Sequence, residues 1–478
     1  MSKETNISNN NVQEETELKH VLKPIHIWAI AVGLVISGDY IGWNLGLANS
    51  GPMGLIIATL LITVMYITFI FSYTELTTSI PNSGGPFSYA KRAMGPYAGF
   101  MAGCATLIEF VFAPPAIALG IGAYLEFIAT KFDILVPSIN IPISNMIIDF
   151  ANIFSVHLPD FYIIAAKVWL AIGCFGVFIL INLIGIEAAA TFELFVTIIA
   201  IVELLVFCAI TGPHVKMENI VTQPILPSGI GGIFSSIPFA IWFYLAIEGV
   251  AMYAEETANP KKDIPVAYIS GIITLVVLAL GTAFCTMGVI PWQQLATIDK
   301  PLPVAIQAVL PDGHWLTKII AVVGVFGLIA SFHGIIIGYS RQAFALSRAK
   351  YLPHFLSKLS KKSKVPYMAL IVPGIIGSIA CLTDYTDAII TISVLGAIVL
   401  YILSLTSLFV LRKKEPDMER PFIAPFYPIF PIIALSISLI SLASIIYYNF
   451  TLFLITLGIF FFASLYYYFF VKNIVNEN

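Results

Sequence analysis

The apolar run from Ile25 to Ala48 is long enough to cross a bilayer as one helix, for which about 20 residues suffice. Its centre nonetheless reads Ser37-Gly38-Asp39-Tyr40-Ile41-Gly42-Trp43-Asn44. Glycine weakens a helix by roughly 1 kcal/mol relative to alanine. A carboxylate at mid-bilayer costs at least about 2.5 kcal/mol. Both penalties in one place point to a broken helix whose freed backbone groups and negative charge face a cavity. Broken helices near the midplane build the binding sites of many secondary transporters. The competing account is an Asp held against a neighbouring helix as structural glue.

The pattern continues. Twelve apolar segments can be drawn, at 25-48, 53-78, 98-129, 161-185, 188-211, 233-254, 265-290, 316-343, 367-383, 386-411, 422-446 and 450-471. With 59% hydrophobic and 11% charged residues, against about 25% charged in soluble domains, the chain reads as an all-α polytopic membrane protein. Residues 1-22 are polar and lack an apolar signal-peptide core, so a disordered cytoplasmic tail is expected before a transmembrane domain at 23-478. Long outer loops are expected near 130-160 and 291-315. The five cysteines lie in separate apolar runs, which argues for packing rather than disulfides or a metal site.

Lys and Arg set the orientation. With the N-terminus inside, only Lys131, Lys167, Lys216, Lys300 and Lys318 of the 24 Lys and Arg fall outside. Both termini are then cytoplasmic and the segment number is even. The sixth segment repeats the motif of the first: Trp242-Phe243-Tyr244-Leu245-Ala246-Ile247-Glu248-Gly249 again sets a carboxylate beside a glycine in an apolar run. Segments one and six are five apart, so two five-helix halves, 25-211 and 233-411, would lie inverted in the membrane, with 422-471 outside the repeat. Paired interruptions of this kind point to a midplane site.

Five stretches in order carry a family resemblance: Ser37 to Gly42; Tyr73-Thr74-Glu75-Leu76 with Pro81-Asn82-Ser83-Gly84-Gly85-Pro86-Phe87-Ser88-Tyr89; the sixth segment; Glu255-Glu256-Thr257-Ala258-Asn259-Pro260; and Ser340-Arg341 through Leu346-Ser347-Arg348 and Leu352-Pro353. The chain resembles the amino acid-polyamine-organocation transporters nearly end to end. The resemblance implies a leucine-transporter-like fold of five plus five inverted helices and two extra. Amino acid carriers of that family follow the unwound stretch with small residues whose amides hold a substrate carboxylate; here Gly42-Trp43-Asn44 take the place. That combination, with Ile108-Glu109 and the sixth-segment motif, is similar to bacterial ethanolamine permeases. Some proton-driven relatives carry a lysine in segment five; here an apolar residue stands near Ile199, with Glu203 one turn on.

Counted without the resemblance, the core holds Asp39, Glu109, Glu193, Glu203 and Glu248 and no deep Lys or Arg, since Lys167, Lys318 and Arg341 lie near segment ends and can snorkel. Buried carboxylates need a partner or a proton, so an amine cargo, a coupling proton or both are expected. Asp39 is the first choice for the substrate ammonium, with Ser37, Gly38, Asn44, Trp242, Tyr244, Ala246 and Glu248 around it. Glu109, Glu203 and Glu248 are the coupling or proton candidates, and each has a structural alternative. Trp43 and Phe243 flank the breaks, where an aromatic face can hold an ammonium for roughly 0.5 to 2 kcal/mol. Glu193 reads as structural or coupling, and His333 as a satisfied core histidine ahead of a proton relay. Glu75, Tyr89, Lys91 and Arg92 gather at the cytoplasmic face, where a gate of ion pairs competes with ordinary positive-inside topology. Pro114-Pro115 should kink the third segment.

The expected function is import of a small primary amine, ethanolamine first, across the plasma membrane by alternating access with proton coupling; an amino acid permease is the alternative. The expected partners are the amine, the proton and membrane lipid, with no cofactor, metal or nucleic acid. An enzyme would need a catalytic pair or a His cluster in the core, and the seven His are scattered. ATP as the driver would need a phosphate-binding loop, and no such motif is present.

Overall fold

The structure, a computed structural model, describes residues 22–142, 161–184, 186–311, 313–361 and 363–476. Its helices are α1 (Pro24–Gly33), α2 (Ser37–Tyr40), α3 (Leu47–Ser79), α4 (Pro86–Met94), α5 (Pro96–Lys131), α6 (Ala166–Asn182), α7 (Ile186–Thr211), α8 (Ile237–Trp242), α9 (Pro260–Val289), α10 (Trp315–Arg348), α11 (Tyr367–Cys381), α12 (Thr386–Lys414), α13 (Ile429–Tyr448) and α14 (Phe450–Tyr466). Short helical turns fill the connections. Among the described residues nine helical spans are long and apolar enough to cross a membrane, and three shorter apolar helices accompany them. That is the all-α polytopic architecture the composition requires.

Proline opens several helices, at Pro24, Pro86, Pro96 and Pro260, where its missing N–H costs nothing. The two interrupted segments form the centre. Every residue from Ile237 to Ala254 is buried, while Phe450 to Val475 is mostly exposed at the periphery. Helix α5 packs along α10 and α12, and α1 packs against α7 and α9. These contacts enclose the first and sixth segments.

Several boundaries differ from expectation. The expected tail ends one residue early: Leu22 is buried, its N–H donates to the Glu256 carbonyl at 3.0 Å, and it accepts from Ala258 N–H at 3.0 Å. The rest of the tail lies outside the described residues, as do 143–160 of the expected outer loop and the turn near Gly185. The fourth segment does not begin as a helix. Phe161–Ile164 is strand β2, paired antiparallel with β1 (Ile139–Pro142), and helix starts at Ala166; isoleucines in both partners suit a pleated pair better than a helix start. The eleventh segment begins at Ile429 rather than 422, because Pro421, Pro425 and Pro428 keep the preceding stretch out of the helix. The seventh begins earlier, at Pro260. Helix α5 runs as one helix through Pro114 and Pro115.

Candidate functional site

The first break is built by a side chain that enters the backbone ladder. The Ser331 hydroxyl of α10 accepts from the Ser37 N–H at 2.8 Å and donates to the Gly33 carbonyl at 2.6 Å. Those two backbone groups are the i→i−4 pair that a continuous helix would bond directly, so the hydroxyl separates α1 from α2 while satisfying both sides. Beyond α2 the chain extends at Ile41 and turns at Gly42, φ 86°. A 3₁₀ turn follows at Trp43–Gly46. The helical run α3 is then kinked at Gly51, φ 66°.

The second break follows α8. Ala246 sits in the left-handed region, φ 77°, a conformation that costs a non-glycine residue roughly 1 to 2 kcal/mol. A 3₁₀ helix, Ile247–Glu256, continues the segment.

The two breaks touch backbone to backbone. A Cβ on Gly38 would stand 2.5 Å from the Trp242 carbonyl oxygen and 3.0 Å from the Phe243 Cα. The Trp242 indole donates to the Ile41 carbonyl at 2.9 Å, and Trp43 stacks on Phe243 with centroids 5.6 Å apart. Asp39 sits at this junction. It is 1% exposed, and neither carboxylate oxygen has a hydrogen-bond partner among the described residues. An unpaired carboxylate at such a depth is costly unless it takes a proton or meets a cation.

A second acidic cluster lies between the third and sixth segments. The Glu109 and Glu248 carboxyls lie within electrostatic reach of each other. Glu248 accepts from the Tyr401 hydroxyl at 3.3 Å, and Tyr401 bonds Tyr66 at 2.8 Å. Both Glu109 oxygens lack a described hydrogen-bond partner. Two like charges side by side in a dry core require a proton or a cation between them.

The remaining sequence-chosen residues each have a partner, although Asn44 Oδ1 and Glu203 Oε1 keep no described hydrogen bond. The Asn44 amide donates to the Leu295 and Ile298 carbonyls, 2.7 Å each, and ties the break to the loop after α9. The Tyr244 hydroxyl bonds Thr63 at 2.7 Å. Glu203 accepts from the Tyr40 hydroxyl at 2.6 Å. Ser37 contributes its backbone N–H.

Three features escaped the sequence reading. Arg341 does not snorkel: it is 2% exposed and gripped by Glu256 through bonds of 3.1 and 2.9 Å. Glu193 is not without a basic neighbour, since His333 Nδ1 lies 2.8 Å from its Oε2. Ser331 and Tyr401 are ordinary polar residues in apolar runs, and their spacing carries no warning.

Both ends of the bundle are tied. At one, Glu75 accepts from Arg412 at 2.8 and 2.5 Å and from the Ala424 N–H at 2.8 Å, and forms an ion pair with Arg420 at 3.2 Å. Glu255 there accepts from Arg348 at 2.6 Å and the Ser83 N–H at 3.0 Å, and Arg92 grips Glu415. Lys91 lies instead over the rings of Phe87 and Tyr351. At the other end Lys167 bridges Asp299 at 2.8 Å and Asp384 at 2.9 Å. Among the described residues no group of three or more His, Cys, Asp or Glu is placed to hold a metal.

The chain matches the family model described as amino acid permease over residues 22–477. It is 27% identical over 422 residues to a branched-chain amino acid permease of Bacillus subtilis (strain 168), covering 88% of this chain and 87% of that one. It is 25% identical over 426 residues to a methylthioribose transporter of the same organism, covering 88% and 87%. It is 24% identical over 403 residues to cationic amino acid transporter 1 of Arabidopsis thaliana, covering 83% of this chain and 63% of that one.

Proposed function

The chain belongs to the amino acid permease family, and from that premise we propose that it is a secondary transporter of amino acids in which Asp39 receives the cargo's ammonium group. The observation that carries this reading is the Asp39 carboxylate, buried and without a described hydrogen-bond partner where the two breaks touch. An ammonium there makes a charge-assisted hydrogen bond, worth about 1.5 to 3 kcal/mol. The amino acid transporters among its relatives favour an amino acid over the ethanolamine expected from the sequence.

Twelve spanning segments in an inverted five-plus-five repeat, with two more, belong to the same reading. So do a plasma-membrane location and cytoplasmic termini, which put the Glu75, Glu255 and Glu256 ion pairs at the inner end and Lys167 with its two aspartates at the outer end. Alternating access then requires each set to open in turn. Coupling to a proton is part of the proposal, the buried carboxyls Glu109, Glu203 and Glu248 being places for it.

One observation favours the second reading, a small amine without a carboxylate. The space over Gly42 is filled by the Trp242 indole, 2.6 Å from where a Cβ would be, and Trp43 and Asn44 follow. Neither leaves the open run of amides a carboxylate would use.

Uptake into proteoliposomes separates the readings. Labelled leucine, lysine and ethanolamine are each offered under an imposed proton gradient, a sodium gradient and none. The amino acid reading expects leucine or lysine to accumulate and ethanolamine to compete poorly. Accumulation of ethanolamine alone moves the assignment to the second reading, and transport of none of the three removes both.

A further inference from the structure

We propose that the Glu193–His333 pair is a proton-binding site that controls the first break, which places the coupling proton of the transport reading at residues outside the Glu109, Glu203 and Glu248 set. The pair joins α7 to α10 through the 2.8 Å contact between Nδ1 and Oε2, with both side chains at most 1% exposed. Its other two polar atoms, Glu193 Oε1 and His333 Nε2, have no described hydrogen-bond partner. Each can therefore take a proton.

The fold has made room for this carboxyl. A Cβ on Gly33 would stand 2.0 Å from Glu193 Oε1, and one on Gly334 3.3 Å from it. Only glycine at position 33 lets the carboxyl lie against the last turn of α1. One turn along α7, the Thr197 hydroxyl donates to the Ala29 carbonyl at 3.3 Å. The Gly33 carbonyl is the one that Ser331 captures to split the ladder. Helix α10 thus carries both the hydroxyl that opens the break and the imidazole that holds Glu193.

The proton balance is simple. With the imidazole neutral and its Nδ1–H donating to Oε2, the pair carries one negative charge. One proton from water, taken on opening to one side, makes it neutral, as imidazolium with carboxylate or imidazole with carboxylic acid. The same proton leaves to water on the other side. Each step adds or removes a net charge beside the junction of α1 and α2, where the backbone already depends on one hydroxyl. The pair sets an imidazole against a carboxyl, and neither Glu203 on Tyr40 nor the Glu109–Glu248 pair includes an imidazole.

The surroundings leave this charge uncompensated. From the sixth segment, the Tyr253 hydroxyl donates to the Gly334 carbonyl at 2.8 Å and lies within electrostatic reach of Glu193. Arg341, two turns along α10, is spent on Glu256. The Phe178 and Phe192 rings cover the imidazole, and α1 presents Gly33.

The test uses the full chain in proteoliposomes and in detergent, as wild type, Glu193→Gln and His333→Gln. Two quantities are read: accumulation of labelled cargo under a proton gradient against counterflow without one, and amide hydrogen exchange of residues 29–45 in acid and alkaline buffer. The expected result is counterflow retained in the variants, gradient-driven accumulation reduced to its no-gradient level, and a pH-dependent exchange pattern in wild type that both variants lose. Wild-type accumulation indifferent to the proton gradient overturns the proposal and leaves the transport reading standing. So do variants that accumulate cargo like wild type, with Glu109→Gln as the alternative site. Should no cargo move at all, the transport reading fails, and hydrogen exchange alone decides this site: a pattern unchanged by pH in wild type overturns it. If one variant does not fold, the other carries the comparison.

Discussion

Asp39→Asn keeps the shape of the side chain and removes its charge. Loss of one charge-assisted bond, at roughly 1.4 kcal/mol per tenfold, lowers cargo affinity by about 10- to 100-fold, read by calorimetry on monodisperse protein. Folding survives, because the amide no longer buries a charge. Asp39→Glu also binds poorly, since an added methylene enters the space the amine occupies. Wild-type affinity in a well-folded Asp39→Asn removes Asp39 from the site and leaves Glu248. Gly38 gives a steric counterpart. Its Cβ would meet backbone, the Trp242 carbonyl at 2.5 Å, so nothing can rotate away and Gly38→Ala must part the two breaks. Counterflow should be lost and the thermal midpoint lowered. Gly173→Ala in α6, whose Cβ meets nothing within 4 Å, should be neutral or raise stability by up to about 1 kcal/mol.

Element ends differ in what their ion pairs are worth. Glu75 is 1% exposed beneath two partly buried arginines, so Glu75→Gln leaves their charge uncompensated and should cost on the order of 2 kcal/mol. Arg92 and Glu415 are far more exposed, at 45% and 33%, and Arg92→Gln should change stability by less than about 1 kcal/mol. The Arg92 guanidinium holds the Glu415 carboxyl below its usual range; that small contribution is present above the ordinary carboxylate pKa and fades as pH falls through the lowered one. Chemical denaturation of the two variants beside wild type checks the contrast, and equal losses would remove the distinction. At the second break, Ala246 already tolerates φ 77°. Ala246→Gly should fold at least as well, whereas Ala246→Val, with a branched Cβ in the left-handed region, should lose more than about 1 kcal/mol and most transport.

At the scale of the whole molecule, the long apolar runs announce the helices because a bilayer rewards nothing else of that length. The breaks announce themselves too, since Gly38 with Asp39, and Glu248 with Gly249, are residues an uninterrupted span would not carry. Ends set by local chemistry were harder to read: Phe161–Ile164 is as apolar as a helix start yet pairs as a strand, and three prolines delay α13 to Ile429. Partnerships were hardest. Arg341 meets Glu256 across 85 residues and His333 meets Glu193 across 140, and only the packing of α10 against the sixth segment and α7 brings them together. Counted along the chain, Arg341 looked like a snorkelling end charge and Glu193 like an acid without a base.

The central claim is that cargo is held by its amine at the junction of the two breaks. Its most direct measurement is counterflow in proteoliposomes, with one transported amino acid as the label and three competitors: the same amino acid, its deaminated acid and its decarboxylated amine. The amino acid should compete fully, the amine partly, and the deaminated acid not at all. A deaminated acid that competes as well as the amino acid would contradict the claim.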